Sequence, residues 1–195
     1  MNTLFSVEPE YPEGFVYLPA FISEEEEREL LGFIGTLDLQ AFLFQGFEAK
    51  RRVASFGWDW HFDTQTLTKG KDIPAAFQWL VKRMNERFSL QPESFAELLV
   101  TGYPKGAVIN WHRDVPPFAL IAGLSLHADC LFKLRPHEKE KQSRKSVISF
   151  PVQRRSLYLL QGPAREAWQH SIAAVKKERY SITLRTLKPG FSSPV

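Results

Sequence analysis

The sequence predicts an α+β chain, mainly β: a jelly-roll-like double sheet with two N-terminal helices packed outside it. Three observations carry that expectation. Helix-period apolar stripes occur twice before residue 95, and from Glu97 onward the texture changes to short strand-like runs. Gly106, Pro116-Pro117, Gly162-Pro163 and Lys176-Lys177 fall in the breaks between those runs. Strands that follow helices in this way suit two stacked sheets with helices outside, and a β-sandwich without a pocket is the other architecture with the same pattern.

The first helix begins after Ser23. Glu26 completes a capping box with it, and Glu24, Glu25 and Glu27 sit at the positive end of the helix dipole. Its apolar stripe is Leu30, Leu31, Ile34 and Leu37, so the acidic run is read as capping rather than as a metal site. The second helix starts near Pro74, which suits a first helical position. Phe77, Leu80, Val81, Met84 and Phe88 form its buried stripe. Strands are expected at 97–103, 107–112, 118–127, 129–135, 146–151, 156–160, 168–173 and 179–187. No repeat or linker divides the 195 residues, so one domain is expected, with a helical and lid region at 1–95 and a jelly-roll core at 96–187.

Composition sets limits on function. The chain is 44% hydrophobic and 24% charged, ordinary for a globular protein, and its sixteen Phe and five Trp make it ring-rich. A net charge of +3 permits an anionic partner without demanding one. Cys130 is the only cysteine, which excludes an internal disulfide and suits a reducing compartment. Met1 to Glu10 lacks the pattern of a secretory leader, and the longest apolar stretch, Phe118 to Leu126, is too short to span a bilayer. A cytoplasmic protein with no membrane association and no obligate protein partner is expected.

Five histidines are present, and three open a His-x-Asp triplet: His61-Phe-Asp63, His112-Arg-Asp114 and His127-Ala-Asp129. Side chains two apart on a strand share a face, so such a His and Asp can meet one metal while a third ligand comes from a distant strand. Two His and one carboxylate with open positions is the ligand set of non-haem Fe(II) oxygenases. His61 precedes the second helix, outside the strand-rich half, and His127 lies just before the charged stretch 133–145. His112 ends the second strand, and His170 lies on a strand far from it in sequence that can face it across a barrel. His112, Asp114 and His170 are therefore the expected ligands. His137, in the polar segment after Lys133, is read as a solvated loop residue.

The last strand runs Arg179-Tyr-Ser-Ile-Thr-Leu-Arg185. Arg179, Ser181, Thr183 and Arg185 share one face, with the two arginine backbones about 20 Å apart by strand rise. If that face lines a barrel, both long side chains can lean toward one short dianion, which would explain charged groups held inside. If the strand lies at an edge, both arginines are in solvent.

Taken together, these residues resemble the AlkB family of Fe(II)/2-oxoglutarate dioxygenases. The resemblance rests on Leu99-Val-Thr-Gly-Tyr103-Pro-Lys-Gly-Ala, Trp111-His112-Arg-Asp114, Gly162-Pro-Ala-Arg-Glu-Ala-Trp-Gln-His170-Ser-Ile and the Arg179 to Arg185 strand, with their order and spacings. Lys50-Arg-Arg-Val-Ala-Ser-Phe-Gly57 looks like the segment that leads into the family's nucleotide-recognition lid, so the similarity runs from about residue 45 to 187.

The resemblance implies a double-stranded β-helix, with His112, Asp114 and His170 as iron ligands. It matches Tyr103 and Arg179 to the residues holding the distal carboxylate of 2-oxoglutarate, and Arg185 to a second arginine near the metal-side carboxylate and the substrate. Thr101 and Ser181 stand where members often have Asn, and both still offer a hydrogen bond to the cosubstrate. The implied reaction consumes O2 and 2-oxoglutarate and oxidises a substrate C–H, usually of an N-methyl group, giving succinate, CO2 and formaldehyde.

A nucleic acid, DNA or RNA, is the expected substrate. Arg51 and Arg52 with Lys50, and Lys133, Arg135, Lys139, Lys141, Arg144 and Lys145, can grip phosphates, although Glu138 and Glu140 interleave the second group. Trp58 and Trp60 can stack a flipped base against His112 or pack in the core. Members that repair DNA tend to place acidic residues soon after the His-x-Asp triplet, whereas this chain has Val115-Pro116-Pro117-Phe118. Two other readings stand beside this one: a hydroxylase or demethylase of a protein side chain or small molecule, and a non-catalytic jelly-roll binding module.

Overall fold

Strict alternation along the central strands builds two layers of side chains, one on each face of a large antiparallel sheet. The computed structural model describes residues 10–44 and 46–191. Most of the segment from Met1 to Glu10, over which no secretory leader is read, lies outside the described residues. Before the predicted strand region come β1 (Phe15–Leu18), α1 (Glu24–Ile34), β2 (Gln40–Phe44), β3 (Phe47–His61), β4 (Thr66–Lys69) and α2 (Gln78–Phe88). After it begins come β5 (Phe95–Tyr103), β6 (Ile109–His112), β7 (Phe118–Leu126), β8 (Cys130–Pro136), β9 (Ile148–Val152), β10 (Leu157–Leu160), α3 (Gly162–Glu166), β11 (Trp168–Ile172) and β12 (Arg179–Leu187).

The major sheet has the order β1-β10-β7-β12-β5-β3-β2, with β4 paired to β3, and the minor sheet has the order β6-β11-β8-β9. This is the mainly β jelly roll the sequence predicts, with all eight expected strands ending within two residues of their predicted bounds. β12 is a central strand, hydrogen-bonded to β5 and β7, so its arginines are not at an edge.

The outer face of the major sheet is the helix side. Leu98, Val100, Ala122, Leu124, Ile182 and Leu184 pack there with Leu30 and Ile34 of α1 and Leu80, Val81 and Met84 of α2. A second apolar cluster lies between the sheets, built on Phe118, Ile121, Phe132, Leu134, Phe150, Tyr158 and Ile172. Odd-numbered residues from Arg179 to Arg185 in β12, Glu97 to Tyr103 in β5 and Ile121 to Ser125 in β7 face this inner layer, and a register shift beyond Arg185 brings Phe118 into it as well. Among the described residues, no helix is long and apolar enough to cross a membrane.

The N-terminal region departs from expectation. It contributes four strands that apolar periodicity does not announce, because β1 and β4 have only four residues each and β3 carries Glu48, Lys50, Arg51 and Arg52. Pro74 caps a short 3-10 turn, Ala75–Phe77, and α2 proper begins at Gln78. The Gly162-Pro163 break contains the short helix α3, with proline in its first turn. Gly57 has φ +86°, and a Cβ there would lie 2.1 Å from the Ala96 carbonyl oxygen, so the long β3 can hug β5 only through glycine.

The acidic start of α1 does more than cap it. The capping box forms, with the Ser23 amide donating to Glu26 Oε2 at 2.8 Å and the Glu26 amide donating to Ser23 Oγ at 3.1 Å. Glu27, one of the acidic residues at the positive end of the helix, is buried. It accepts the His127 amide at 2.8 Å and pairs with Arg154, tying α1 to the turn after β7.

Glu26 also accepts two hydrogen bonds from Arg83, one at 2.9 Å, which joins α1 to α2. That bond holds its carboxyl down at about 2 against the ordinary 4.5. A depressed folded-state value means that the stabilisation is complete above the ordinary glutamate pKa and fades as pH falls through the folded one. Arg83 is 39% exposed, so the pair is worth about 0.5–1 kcal/mol. Urea unfolding of the wild type and Glu26→Gln, which keeps the capping acceptor, should differ by that amount at pH 7 and converge near pH 2.

Candidate metal and cosubstrate site

β6 and β11 are neighbours in the minor sheet, and their register sets His112 directly opposite His170. Their ring centroids are 4.2 Å apart. Asp114, two residues past His112, turns into the same space, with Oδ2 3.5 Å from His170 Nε2. One donor atom from each of His112, Asp114 and His170 lies within 4.8 Å of the other two. Among the described residues no other group of three or more His, Cys, Asp and Glu side chains could hold a metal ion. His61 instead shares a 2.7 Å hydrogen bond with Thr68, and His127 sits in a left-handed turn with φ +72°.

His170 and Asp114 are held in the protonation states a divalent ion requires, and a hydrogen bond orients His112. His112 Nδ1 lies 2.9 Å from the Asn110 carbonyl, which can only accept, so of the two neutral tautomers this bond selects the one with its proton on Nδ1 and its lone pair on Nε2. Burial, and then the neighbouring His112, push His170 down to about 3, which leaves it neutral at physiological pH. Its ring stacks on Phe132, with centroids 5.6 Å apart and planes 7° from parallel. Burial raises Asp114, but Arg185 first, then the two histidines and Arg165, outweigh burial and hold the carboxyl well below its ordinary range. Asp114 Oδ2 is buried and has no hydrogen-bond partner. Two imidazoles and a carboxylate with an unpartnered buried oxygen fit a hard or borderline cation such as Fe(II).

The loop carrying Asp114 is held from outside by α3. Arg165, 4% exposed, donates to the carbonyls of Asp114 at 2.9 Å and Val115 at 2.8 Å. Arg113 donates to the Glu166 carbonyl at 2.7 Å. Local sequence gives no sign of this clamp, because it joins residues about fifty apart.

On β12 the two arginines part company. Arg179 is 0% exposed and opposite Tyr103, whose ring its guanidinium faces at 4.8 Å. Its Nε donates to Ser125 Oγ at 3.1 Å, while Nη1 and Nη2 are buried without a hydrogen-bond partner. Tyr103 and Ser181 hydroxyls are 3.3 Å apart beside it, with Thr101 buried opposite Ser181. An unpartnered buried guanidinium is costly, and a carboxylate is the group that fits it.

Arg185, by contrast, is saturated. Its Nε donates to Asp114 Oδ1 at 2.8 Å, Nη2 lies 2.8 Å from the same oxygen, and Nη1 bonds Glu97. Of the two arginines expected to lean toward one dianion, only Arg179 keeps open nitrogens, while Arg185 is paired with Glu97 and with Asp114, whose Oδ2 lies toward His170. Glu97, with a side chain 8% exposed, is raised by burial and pulled back by Arg185. Sequence reasoning missed both Glu97 and Ser125. The signal available for Ser125 was a lone hydroxyl in the otherwise apolar run of β7.

The expected substrate residues are split between faces. Arg51 stacks on Phe42 at 3.9 Å, and burial, Tyr103 and Arg185 are the influences on it, which puts it on the site's side of β3. Arg52, opposite Gly102, is exposed on the other face. Trp58 lines an open groove of about 800 Å³ with Ile73, Gln78, Leu90 and Lys188, and none of the three metal-ligand candidates lines it. Trp60 pairs with Leu67 in the β3–β4 hairpin. Neither tryptophan makes a ring contact with His112 among the described residues. Lys133 and Arg135 lie on β8, Arg135 over the Trp111 ring at 4.4 Å, and Lys141 pairs with Glu138 at 2.8 Å in the turn that follows.

The comparisons agree with this geometry. A model of the 2OG-Fe(II) oxygenase superfamily matches residues 14–186. The chain belongs to that superfamily and is an AlkB-like, 2-oxoglutarate-dependent dioxygenase, which implies Fe(II), 2-oxoglutarate and O2. It is 27% identical over 173 residues to the mouse tRNA (carboxymethyluridine(34)-5-O)-methyltransferase ALKBH8, covering 85% of this chain and 25% of that protein. It is 28% identical to the Arabidopsis thaliana alkylated DNA repair protein ALKBH8 homolog, covering 90% of this chain and 58% of that one. The chain thus spans about a quarter and rather more than half of these relatives. In fold it is similar to OsALKBH1, with TM-score 0.73 at 13% identity over 91% of this chain and 99% of that chain. It is also similar to a Pseudomonas putida prolyl-4-hydroxylase, with TM-score 0.63 at 13% identity over 90% and 93% of the two chains.

Arg185→Met should free Asp114 to rotate and weaken Mn(II) binding by about 10- to 100-fold, the usual cost of losing a residue that orients a metal ligand. Glu97→Gln, which keeps a hydrogen-bond acceptor for Arg185, should weaken it less. Calorimetric titration of Mn(II) into each variant checks the order.

Proposed function

We propose that His112, Asp114 and His170 hold the iron and that Arg179, with Tyr103, Thr101 and Ser181, receives the distal carboxylate of 2-oxoglutarate. On this reading the enzyme oxidatively demethylates an N-alkylated nucleobase in DNA or RNA. The observation that carries the site assignment is the pairing of a convergent His-Asp-His set with a buried, unpartnered guanidinium in one inner layer. Bound iron and cosubstrate supply the oxidising power, turning O2 and 2-oxoglutarate into succinate, CO2 and an oxidised substrate C–H, with formaldehyde released from an N-methyl group.

The chain's own residues bind, orient and exclude water. His112 and His170 offer ring nitrogens to the ion, and Asp114 is kept ionised and aimed by Arg185. Arg179 supplies the countercharge for a carboxylate, and the Phe132 and Ile121 side chains wall the space against solvent. No general acid or base is required of the protein.

The nucleic-acid substrate is supported by the likeness to two ALKBH8 proteins whose names specify tRNA and alkylated DNA. Arg51 also places a cation near the site, where a phosphate can be met. One feature favours the alternative, a protein or small-molecule substrate: Asp114 is followed by Val115-Pro116-Pro117-Phe118, with Pro117 and Phe118 buried and no acid to read a base.

Anaerobic addition of Fe(II) to the protein with 2-oxoglutarate should produce a visible metal-to-ligand charge-transfer band. His170→Ala should abolish it, and Arg179→Met should raise the 2-oxoglutarate Kd on the order of 100-fold with metal affinity retained. For the substrate, formaldehyde release from N-methylated DNA and RNA oligonucleotides is the expected result. Silence on all of them, with uncoupled succinate formation intact, would move the assignment to protein or small-molecule substrates.

A further inference from the structure

The inner face of β7 holds a pair of residues that neither the metal set nor the arginines account for. Gly123 lies opposite Tyr158 of β10 on one side and Thr183 of β12 on the other. A Cβ built on Gly123 would fall 2.2 Å from Tyr158 Cζ and 2.4 Å from its hydroxyl oxygen, so the phenol ring lies directly on the glycine backbone. Its other side meets Phe132 of the minor sheet, with ring centroids 4.8 Å apart, and Phe132 in turn stacks on His170. Tyr158 therefore bridges the two sheets inside the barrel.

Its level along the strands is what matters. At one end Arg179 is held by Ser125, two residues along the inner face of β7 from Gly123. At the other end Arg185, opposite Ile121, holds Asp114. Gly123 is midway between Ser125 and Ile121, which sets the Tyr158 ring at a level between Arg179 and the metal set. Burial pushes the pKa of the Tyr158 hydroxyl up, so it remains a protonated donor.

We infer that Tyr158, seated on Gly123, is a specificity-determining residue that sets the length of the 2-oxo dicarboxylate the site accepts. The ring forms the floor under the carbon chain between the two carboxylates, and the glycine keeps that floor low enough for a five-carbon acid to pass. The inference rests on Arg179 as the anchor of the distal carboxylate. A smaller residue at 158 deepens the floor and lets a longer chain bow into the space. A side chain at 123 lifts the ring into the path of the chain.

The test is binding of 2-oxoglutarate and of its six-carbon homologue 2-oxoadipate to the Fe(II)-loaded, anaerobic protein, read from the charge-transfer band. Mn(II) affinity and melting temperature are measured alongside. Gly123→Ala should weaken 2-oxoglutarate at least about tenfold with Mn(II) affinity unchanged, and the double variant Gly123→Ala, Tyr158→Leu should recover most of it. Tyr158→Leu alone should shift the ratio of the two affinities toward 2-oxoadipate by about tenfold or more. If Gly123→Ala fails to fold, Tyr158→Leu and Tyr158→Phe carry the test, since neither adds volume. A ratio unchanged in Tyr158→Leu, with binding lost in Arg179→Met, overturns the role of Tyr158 and leaves the anchor standing. Binding retained in Arg179→Met overturns the anchor and the inference together.

Discussion

Along β12, Ile182 and Leu184 must leave water for the helix-lined core, while Arg179, Ser181 and Arg185 must place polar groups between the sheets. The pleat meets both demands in a single register, because a one-residue slip would send both guanidinium groups into the apolar layer under α1 and α2. Much of the site follows from that register. It aligns Arg179 with Tyr103, Ser181 with Thr101 and Arg185 with Glu97. The partner strands are thereby locked to the residues that make chemistry possible, and the helices outside hold the site by fixing the opposite face of the same strand.

Electrostatics then separates residues that look alike in sequence. Arg185 is matched by Asp114 and Glu97, two buried acids on two different elements, and becomes part of the scaffold. Arg179 has one serine oxygen and two open nitrogens, and remains a receptor. The inner layer thus carries one uncompensated positive centre at one end and one uncompensated carboxylate oxygen, on Asp114, at the other. On the proposed reading a metal ion bearing a dicarboxylate would meet both, the ion at Asp114 and the far carboxylate at Arg179.

The strand-rich half was legible because its alternation is clean and Gly, Pro and Lys pairs mark its breaks. His112, Asp114 and His170 were legible for a related reason: a His-x-Asp triplet on a strand has one facing direction, which limits where a third ligand can come from. The decoys fail on geometry, His61 through an exposed hairpin hydrogen bond and His127 through a left-handed turn. Glu97, Ser125, Tyr158 and Arg165 were not legible, since each acquires its role from a register or contact between residues far apart in sequence. Glu27 shows the same limit, because a glutamate in an acidic helix start reads as solvated until the turn after β7 closes over it.

The α3 clamp has a consequence for how the ion arrives. Arg165 and Arg113 fasten the His-x-Asp loop through backbone carbonyls, contacts that leave the Asp114 carboxylate untouched and so do not depend on an ion. The loop therefore surrenders its conformational freedom when the chain folds, not when the ion is captured. An ion entering a centre built this way would meet the costs of its own dehydration and access, with little backbone ordering added to them.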